Sequence, residues 1–372
     1  MTTNHGMVEK LGRRCFAVFN GREETPPLFD LAEALLKRLK ENWAGLVAGY
    51  EGLGEARLRE IRGDGWGVKI QFNPRRIVSS GAQLDPESLR RRPCFLCLEN
   101  LPPEQQAVLY REDYLVLCNP MPVFPGHLTI AHRCHLPQSL SGKVPTLIRL
   151  AADFGSRMTV FYNGPRAGAS APDHFHFQAA PAGLLPVEKE IPEPWKRTGA
   201  RRRDGVEICR TTGLGRGILV IEGKDEGDVA AAVAEAIDAL GRLTGSAIRK
   251  PRPSGGDEGR DERQAALPPG SPVPPAGRDA SDAGEPPLNL LCTRIGEGWR
   301  LILFPRRKHR PDAYFREGRD RLLISPGAVD MGGSIITPRE DDFLALTPDL
   351  VSGIYREVAF DDAAVDELLA SL

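Results

Sequence analysis

The chain has 372 residues, enough for two domains or for one large domain with an insertion. Its 49 lysines and arginines balance 50 aspartates and glutamates, so no net field favours nucleic acid or a membrane surface as a partner. Seven cysteines, an odd number in a large charged chain, argue against a disulfide framework. Because we find neither an apolar signal segment nor a run long and apolar enough to span a bilayer, we expect a cytoplasmic protein.

The first part of the chain predicts one helix and one strand. Apolar residues at helical spacing predict an amphipathic helix over residues 30–47. Alternation in GVKIQF predicts a strand from Gly67, and this strand ends near Asn73, Arg75 and Arg76. Such a basic end is either a solvated strand end or an edge that faces phosphate.

A CxxC sequence and three strands follow. Cys94 and Cys97 come directly after a basic run, and a CxxC in such a chain is typical of metal or redox chemistry. Residues 114–118, 127–131 and 158–162 are rich in β-branched and aromatic side chains, so each predicts a strand.

Residues 163–181 carry the clearest indication of chemistry. If HFHFQ is a strand, alternation places His174, His176 and Gln178 on one face and the two phenylalanines on the other. The preceding loop is rich in Gly, Ala and Ser, which lets backbone N–H groups approach an anion. An ordinary half-buried strand would show the same alternation, so the pattern alone leaves both interpretations open.

The chain then alternates between irregular and regular segments. Residues 185–195 are rich in Pro and Glu and are expected to be irregular. Residues 217–222 predict a strand, and residues 226–243 predict a helix with an apolar stripe. Residues 251–287 hold few apolar side chains and much Pro, Gly and charge, so we expect a disordered insertion there.

Order is expected to resume at Leu288, with two apolar strands that lead into the basic run at 306–310. This run is either a solvated charge cluster or a clamp for the phosphate of the leaving group. Strand character over 321–327 and 333–338 and a helix from Asp361 complete the chain. The segments that we expect are a core at 1–195, a strand and helix extension at 196–250, the insertion at 251–287 and a strand-rich C-terminal half at 288–372.

Two blocks of the sequence resemble the histidine-triad superfamily. Residues 112–135 follow its core order of strand, polar residue, Gly-His, strand and final histidine. The NG…GAS…HxHxQ stretch resembles the branch in which glutamine replaces the third histidine. This branch includes galactose-1-phosphate uridylyltransferase, diadenosine tetraphosphate phosphorylase and GDP-L-galactose phosphorylase, and the matching parts run over about residues 71–188. The resemblance implies an α+β fold with a histidine-triad/uridylyltransferase-like antiparallel sheet, helices mainly on one face and a C-terminal half that extends it.

The resemblance also implies roles for individual residues. His176 would be a nucleophile that takes up a mononucleotide, because a neutral imidazole attacks with a lone pair. Gln178 and the backbone of the Gly-rich loop would donate hydrogen bonds to phosphate oxygens. Asn119 either occupies the ribose-binding position or is simply part of an Asn-Pro turn. The expected substrate-binding residues are Asn119, Asn163, Gly168, Ser170, Arg75, Lys308 and His309.

Cys94, Cys97, His135 and His174 match the zinc ligands of some triad proteins and of the uridylyltransferase. Two thiolates and two imidazoles would form a closed tetrahedral site, which is structural and not catalytic. The alternative is a pair of reduced, partly buried thiols.

We therefore expect nucleotidyl transfer through a nucleotidyl-histidine. The expected donor is a nucleoside diphosphate sugar or a dinucleoside polyphosphate, and the expected acceptor is inorganic phosphate or a sugar 1-phosphate. The alternatives are a triad-type nucleotide hydrolase, against which Gln178 argues, and a non-catalytic nucleotide-binding regulatory protein. The residues leave the base, the sugar and the oligomeric state open, including whether the chain forms a homodimer.

Overall fold

The computed structural model describes residues 11–77, 81, 84–246 and 284–372. Across these residues, none of the helices is both long and apolar enough to cross a membrane. The strands are β1 (Cys15–Phe19), β2 (Arg57–Arg62), β3 (Gly67–Phe72), β4 (Ala107–Tyr110), β5 (Tyr114–Cys118), β6 (Leu128–His132), β7 (Met158–Asn163), β8 (His176–Pro181), β9 (Arg197–Arg203), β10 (Val206–Thr211), β11 (Leu219–Gly223), β12 (Leu288–Ile295), β13 (Gly298–Pro305) and β14 (Ser334–Thr337).

Ten α-helices accompany these strands in the described ranges. They are α1 (Leu28–Asn42), α2 (Ala44–Gly54), α3 (Pro86–Arg91), α4 (Val144–Phe154), α5 (Pro186–Glu190), α6 (Glu226–Thr244), α7 (Ala328–Met331), α8 (Glu340–Ala345), α9 (Pro348–Val358) and α10 (Asp362–Ala370). The apolar stripe predicted for 226–243 is buried in α6, which confirms that helix.

Eleven strands form one sheet in the order β1-β4-β5-β6-β8-β7-β12-β13-β11-β10-β9. Neighbours in this sheet are antiparallel except β1 and β4, which are parallel. Because β12 pairs with β7, the strands of the C-terminal half continue the sheet of the N-terminal half. The expected α+β fold with an extended antiparallel sheet is confirmed. The remaining strands form a small sheet in the order β14-β3-β2.

The two faces of the main sheet are covered differently. On one face, α1, α4, α6 and α10 bury a core that includes Val160, Phe175 and Phe177. The other face carries Phe161 and packs against the small sheet and α9. Because side chains alternate along a strand, His176 and Gln178 point away from the helical core. The strand predicted for HFHFQ begins only at His176, so His174 lies before it. Within β8 the predicted alternation is confirmed, and it turns His176 and Gln178 towards the second face.

Three predicted elements differ from the structure. The helix expected over 30–47 is two helices, because the extended backbone of Trp43 (φ −129°, ψ 95°) separates α1 from α2. The irregular segment at 185–195 contains α5, whose start is stabilised by Glu188, which accepts the N–H groups of Gly183 and Leu185. Residues 321–327 form no strand. The N–H groups of Leu322 and Leu323 donate to the carbonyl of Ala313 and to a carboxylate oxygen of Asp342, and not to a neighbouring strand.

Most of the insertion predicted at 251–287 lies outside the described residues. Its predicted end is wrong, because residues 284–287 are placed and Glu285 is 4% exposed. One Glu285 oxygen accepts the backbone N–H of Leu140 at 2.6 Å, and the other accepts the hydroxyl of Tyr162 at 2.8 Å. The order of the C-terminal half therefore begins before Leu288.

Candidate active site

A cavity of about 700 Å³ opens on the second face of the main sheet. This volume suits a nucleotide-sized ligand. Its walls come from the end of β5, from β6, from the loop after β7, from β8, from the segment around the CxxC and from residues 309–336 of the C-terminal half. The sequence-predicted site residues that line it are Asn119, Asn163, Gly168, Ser170, His176, Gln178 and His309.

His176 is held so that one ring nitrogen remains available. Its Nδ1 lies 2.9 Å from the carbonyl oxygen of His174, which can only accept, so Nδ1 carries the proton and donates it. Burial lowers the pKa of His176, so the ring is neutral near pH 7. The Nε2 lone pair is then the nucleophilic position of a ring that lines the cavity. Gln138 fixes the backbone of His176 with hydrogen bonds to its N–H (2.8 Å) and its carbonyl (3.0 Å).

Gln178 is oriented by a second histidine, His127. Burial lowers the pKa of His127 to about 3, with a further contribution from Arg76, so this ring is also neutral. Its Nδ1 accepts the N–H of Val123 at 3.3 Å, which places the ring proton on Nε2. Nε2 then donates to Oε1 of Gln178 at 2.8 Å. The amide NH₂ of Gln178 is left as a hydrogen-bond donor beside His176.

The loop after β7 requires glycine at 168. Gly168 has φ +95°, and a Cβ at this position would lie 2.5 Å from Cα of Gly327. The backbone of the predicted anion-binding loop thus packs directly against the C-terminal half. Asn163 strengthens this contact, since its Oδ1 accepts the N–H of Ala328 (2.7 Å) and the amide of Asn289 (2.9 Å). Asn163 therefore lines the cavity, and its oxygen holds the two halves together.

Asn119 also has a local role. Its Oδ1 accepts the N–H of Met121 at 2.9 Å, so the Asn-Pro turn is present. The side chain lines the cavity as well. The turn and the ligand-facing position are thus compatible at this residue.

Two predicted substrate residues lie outside the cavity. Arg75 is exposed, and its neighbour Arg76 lines the cavity instead, with a hydrogen bond of 2.6 Å to the carbonyl of Met121. Lys308 pairs with Asp312 and, at 3.0 Å, with Glu357. The assignments of Arg75 and Lys308 as substrate-binding residues are therefore corrected, because neither side chain lines the cavity.

The basic run at 306–310 fits neither of its two interpretations as a whole, because its residues are neither all solvated nor all in the cavity. Arg306 is fully buried and donates to Asn289 Oδ1 (2.6 Å) and to the carbonyls of Val358 and Pro326 (both 2.9 Å). His309 and Arg310 line the cavity, where both contact the hydroxyl of Ser325. The run therefore combines a structural residue, outward-facing residues and residues of the cavity.

Cys94, Cys97, His135 and His174 meet beside the cavity. Their ligand atoms all lie within 4.8 Å of one another, and the closest S···Nδ1 distances are 3.2 and 3.3 Å. Zinc bonds of about 2.1 Å to nitrogen and 2.3 Å to sulfur place tetrahedral ligands about 3.6 Å apart. The closest pairs would therefore separate slightly and the widest pairs would approach each other to accommodate the ion. His174 donates Nε2–H to the carbonyl of His132 at 2.7 Å, which leaves its Nδ1 for a metal. These residues could hold a metal ion.

Several residues of the cavity escaped the sequence analysis. His127 is part of the Gly-His pair that carried the resemblance, so a signal for it was present. Arg92, Arg310 and Asp330 also line the cavity. Arg310 belongs to the basic run at 306–310, for which a phosphate clamp was one of the two interpretations. Arg92 and Asp330 lie on an irregular segment and a short helix whose positions depend on long-range packing, so no local pattern indicates them.

Comparisons with known proteins agree with this fold. A family model described as a domain of unknown function (DUF4922) matches residues 35–181. No curated protein matches the sequence. Solved structures of yeast Ap4A phosphorylase Apa2 do match, at 16% identity and a TM-score of 0.51, over 88% of this chain and 94% of that chain. The structure of its AMP complex matches at 16% identity and a TM-score of 0.52, over 88% of this chain and 97% of that chain. The structure of its Ap4A complex matches at 15% identity and a TM-score of 0.54, over 88% of this chain and 98% of that chain. The chain therefore shares the fold of that phosphorylase.

Proposed function

We propose that this chain, which has the fold of a dinucleoside polyphosphate phosphorylase, transfers a mononucleotide through a covalent bond to His176. The observation that carries the proposal is the pair of neutral side chains on β8. The Nδ1 proton of His176 is held by a carbonyl, and the amide of Gln178 is oriented by His127. Together they provide a nucleophile and a donor to the phosphate oxygen on which charge develops.

The reaction has two displacement steps. Nε2 of His176 attacks the α-phosphorus of the donor, the phosphorus–oxygen bond to the leaving group breaks, and the leaving group departs with the electron pair. An oxygen of inorganic phosphate or of a sugar phosphate then attacks the same phosphorus. The phosphorus–nitrogen bond breaks, its electrons return to Nε2, and the enzyme is regenerated.

The charges of the cavity support a donor rich in phosphate. Arg76, Arg92 and Arg310 line it. His176, on β8, and His127, just before β6, are neutral. Guanidinium groups bind phosphate through directed hydrogen bonds, and a low-dielectric cavity strengthens them. The yeast phosphorylase binds AMP and Ap4A in its solved complexes, which supports a nucleotide donor here.

Transfer to phosphate is favoured over hydrolysis by Gln178. A glutamine does not titrate, so it cannot relay a proton between the leaving group and an attacking water as an imidazole can.

We further propose that the Cys94, Cys97, His135 and His174 set binds zinc as a closed structural site. No step of the transfer is assigned to this ion.

Product analysis with and without phosphate tests this function. The protein is mixed with dinucleoside polyphosphates and nucleoside diphosphate sugars, and the nucleotide products are separated. We expect a nucleoside diphosphate only when inorganic phosphate is present, and none from His176→Ala, which should still bind the donor. A mononucleotide formed at the same rate without phosphate would indicate the triad-type hydrolase. Saturable binding with no product would indicate the regulatory protein.

A further inference from the structure

A chain of hydrogen bonds runs from the C-terminal half to the side chain of Asn163. Arg306 is fully buried and donates from Nη1 to Oδ1 of Asn289 at 2.6 Å. Nδ2 of Asn289 donates in turn to Oδ1 of Asn163 at 2.9 Å and to the carbonyl of Ala167 at 2.6 Å. Asn289 is also fully buried, so water does not compete for these bonds. The amide of Asn163 is thus tied to a fixed cation of the other half.

The direction of this chain determines how the amide of Asn163 is turned. An arginine side chain only donates, so the atom of Asn289 that it meets is the oxygen. The NH₂ group of Asn289 then faces Asn163, which meets it with its own oxygen. The backbone N–H of Ala328 donates to the same oxygen at 2.7 Å. The NH₂ group of Asn163 is the remaining end, and none of the described residues accepts a hydrogen bond from it.

Asn163 and His176 lie side by side in the cavity wall. Both residues line the cavity. One nitrogen of Gln138 donates to the carbonyl of Asn163 at 2.9 Å and to that of His176 at 3.0 Å, which joins the end of β7 to the start of β8. Gly327 packs on the amide, since a Cβ on Gly327 would lie 3.0 Å from Oδ1 and 3.4 Å from Nδ2 of Asn163. The amide is therefore held in one orientation before a ligand binds, which lowers the entropy cost of binding.

We propose that Asn289 and Arg306 are positioning residues, which hold the oxygen of Asn163 so that its NH₂ group donates to the phosphate of the bound nucleotide. If the amide were reversed, its oxygen would face the phosphate oxygens and repel them. The inference rests on the proposed function, because it needs the phosphate of a nucleotide beside His176. It adds that the C-terminal half determines whether this position of the N-terminal half is a donor or an acceptor.

Two substitutions at position 289 test the orientation of the amide. Asn289→Asp keeps an oxygen for Arg306 but replaces the NH₂ group by a second oxygen, so Asn163 is expected to turn its own NH₂ group towards the carboxylate. Asn289→Ala removes the contact without reversing it, and the N–H of Ala328 still holds the oxygen of Asn163. The dissociation constants of AMP, GMP, CMP and UMP are measured by equilibrium titration, and the tightest ligand of wild type is used for all variants.

Asn163→Ala should weaken nucleotide binding by about tenfold, the usual effect of losing a hydrogen bond to a charged group. Asn289→Asp should weaken it by about tenfold or more, and Asn289→Ala by only about threefold, because the amide of Asn163 is loosened and not reversed. Asn289→Ala introduces no buried charge, so the test does not depend on whether Asn289→Asp folds. Asn163→Asp keeps the oxygen for both of its donors and replaces only the NH₂ group, so it serves if Asn163→Ala does not fold, and it should lose at least tenfold.

Double variants separate the proposed role from a general effect of charge or packing. In the Asn163→Ala background, either substitution at 289 should leave the affinity within about twofold of Asn163→Ala alone, because no amide remains to be oriented. A loss caused by the new negative charge itself would persist in both backgrounds. Asn42→Asp is the matched control, since it adds the same charge at an exposed position on α1, which covers the opposite face of the sheet. It should bind the nucleotide as wild type does.

Each result has one meaning. Wild-type affinity in Asn163→Ala or Asn163→Asp would overturn the inference, because the NH₂ group would then make no contact with the ligand. Wild-type affinity in both variants of Asn289, or losses that multiply in the double variants, would also overturn it. All of these results leave the proposed function intact. Failure of wild type to bind any of the four nucleotides would overturn the proposed function and the inference together.

Discussion

Hydrogen bonds fix the chemistry of the individual side chains in this cavity. His127 and His176 are both neutral because burial lowers the pKa of each ring. In each ring one nitrogen is engaged by a backbone group, which determines the role of the other. As a result, His176 presents a lone pair and His127 presents a proton, although the two residues are chemically identical.

Gln178→Ala should slow formation of the covalent intermediate by about 100-fold, as expected for the loss of one donor to a developing negative charge. Donor binding should change little, because the hydrogen bond strengthens mainly in the transition state. Pre-steady-state loading measured by quenched flow gives the rate. Gln106→Ala, at a half-buried position outside the cavity where the amide donates to the carbonyl of Arg13, is the control. Equal loading rates for Gln178→Ala and wild type would remove Gln178 from the mechanism.

Arg76→Ala should weaken nucleotide binding by about tenfold or more, because it deletes a buried guanidinium from the cavity wall. Its sequence neighbour offers a matched control: Arg75→Ala removes the same charge from an exposed position. Equilibrium titration with AMP compares the two. Similar losses in both variants would show that the net charge, and not the position, determines affinity.

At the scale of elements, the CxxC segment and β8 are linked through one residue. His174 contributes Nδ1 to the Cys and His cluster, and its carbonyl accepts the proton of His176. Arg92, just before the CxxC, adds a hydrogen bond of 3.1 Å to the carbonyl of Ser170 in the loop after β7. The cluster therefore helps to position the ring of His176, the nucleophile that we propose, through His174.

Cys97→Ser should abolish zinc binding and lower the free energy of unfolding by about 3 kcal/mol or more, since a structural zinc contributes directly to folding. Cys134→Ser, next to His135 but outside the four-residue cluster, should keep both. Elemental analysis of protein purified without chelator and chemical denaturation measure the two effects. Wild-type protein with only a small fraction of zinc per chain would refute the zinc assignment.

At the scale of the whole molecule, the two halves form one sheet and share buried polar groups. Arg306 donates to Asn289, whose amide donates in turn to Asn163 and to the carbonyl of Ala167. Glu285 anchors the start of the C-terminal half on Leu140 and Tyr162. The loop after β7 is thus supported by residues more than a hundred positions away.

Glu285 should make stability depend on pH. Burial raises its pKa to about 7 in the folded protein, so between about pH 4.5 and 7 the folded state holds a proton that the unfolded state releases. The resulting stabilisation is complete below about pH 4.5 and is lost as the pH rises through 7, a change of about 2–4 kcal/mol.

Glu285→Gln, which resembles the protonated acid, should remove this dependence. The difference in unfolding free energy between wild type and this variant should therefore change by that amount between pH 5 and pH 8, in denaturant titrations. Glu297→Gln, an exposed site, is the control for a lost carboxylate. Parallel curves for wild type and Glu285→Gln would contradict the burial of Glu285.

The sequence pattern predicted those helices and strands whose formation depends mainly on the residues of the segment itself. The alternation from His176 to Gln178 and the apolar stripe of α6 are periodic, and both are confirmed. The continuous apolar runs of β12 and β13 also form the predicted strands. Arg75 and Arg76 are adjacent after β3, and only Arg76 lines the cavity. Which of the two side chains faces the cavity depends on how the chain turns after β3, and no local sequence pattern shows this. The contact of Gly168 with Gly327 joins residues far apart in the chain, so only the folded structure could reveal it.

The central claim is the covalent intermediate on His176, and intact-protein mass spectrometry tests it most directly. Wild type and His176→Ala are mixed with a panel of dinucleoside polyphosphates and nucleoside diphosphate sugars. We predict the added mass of one mononucleotide on wild type only, and its loss when phosphate is added. No adduct with any donor despite saturable binding, or an equal adduct on His176→Ala, would contradict the account.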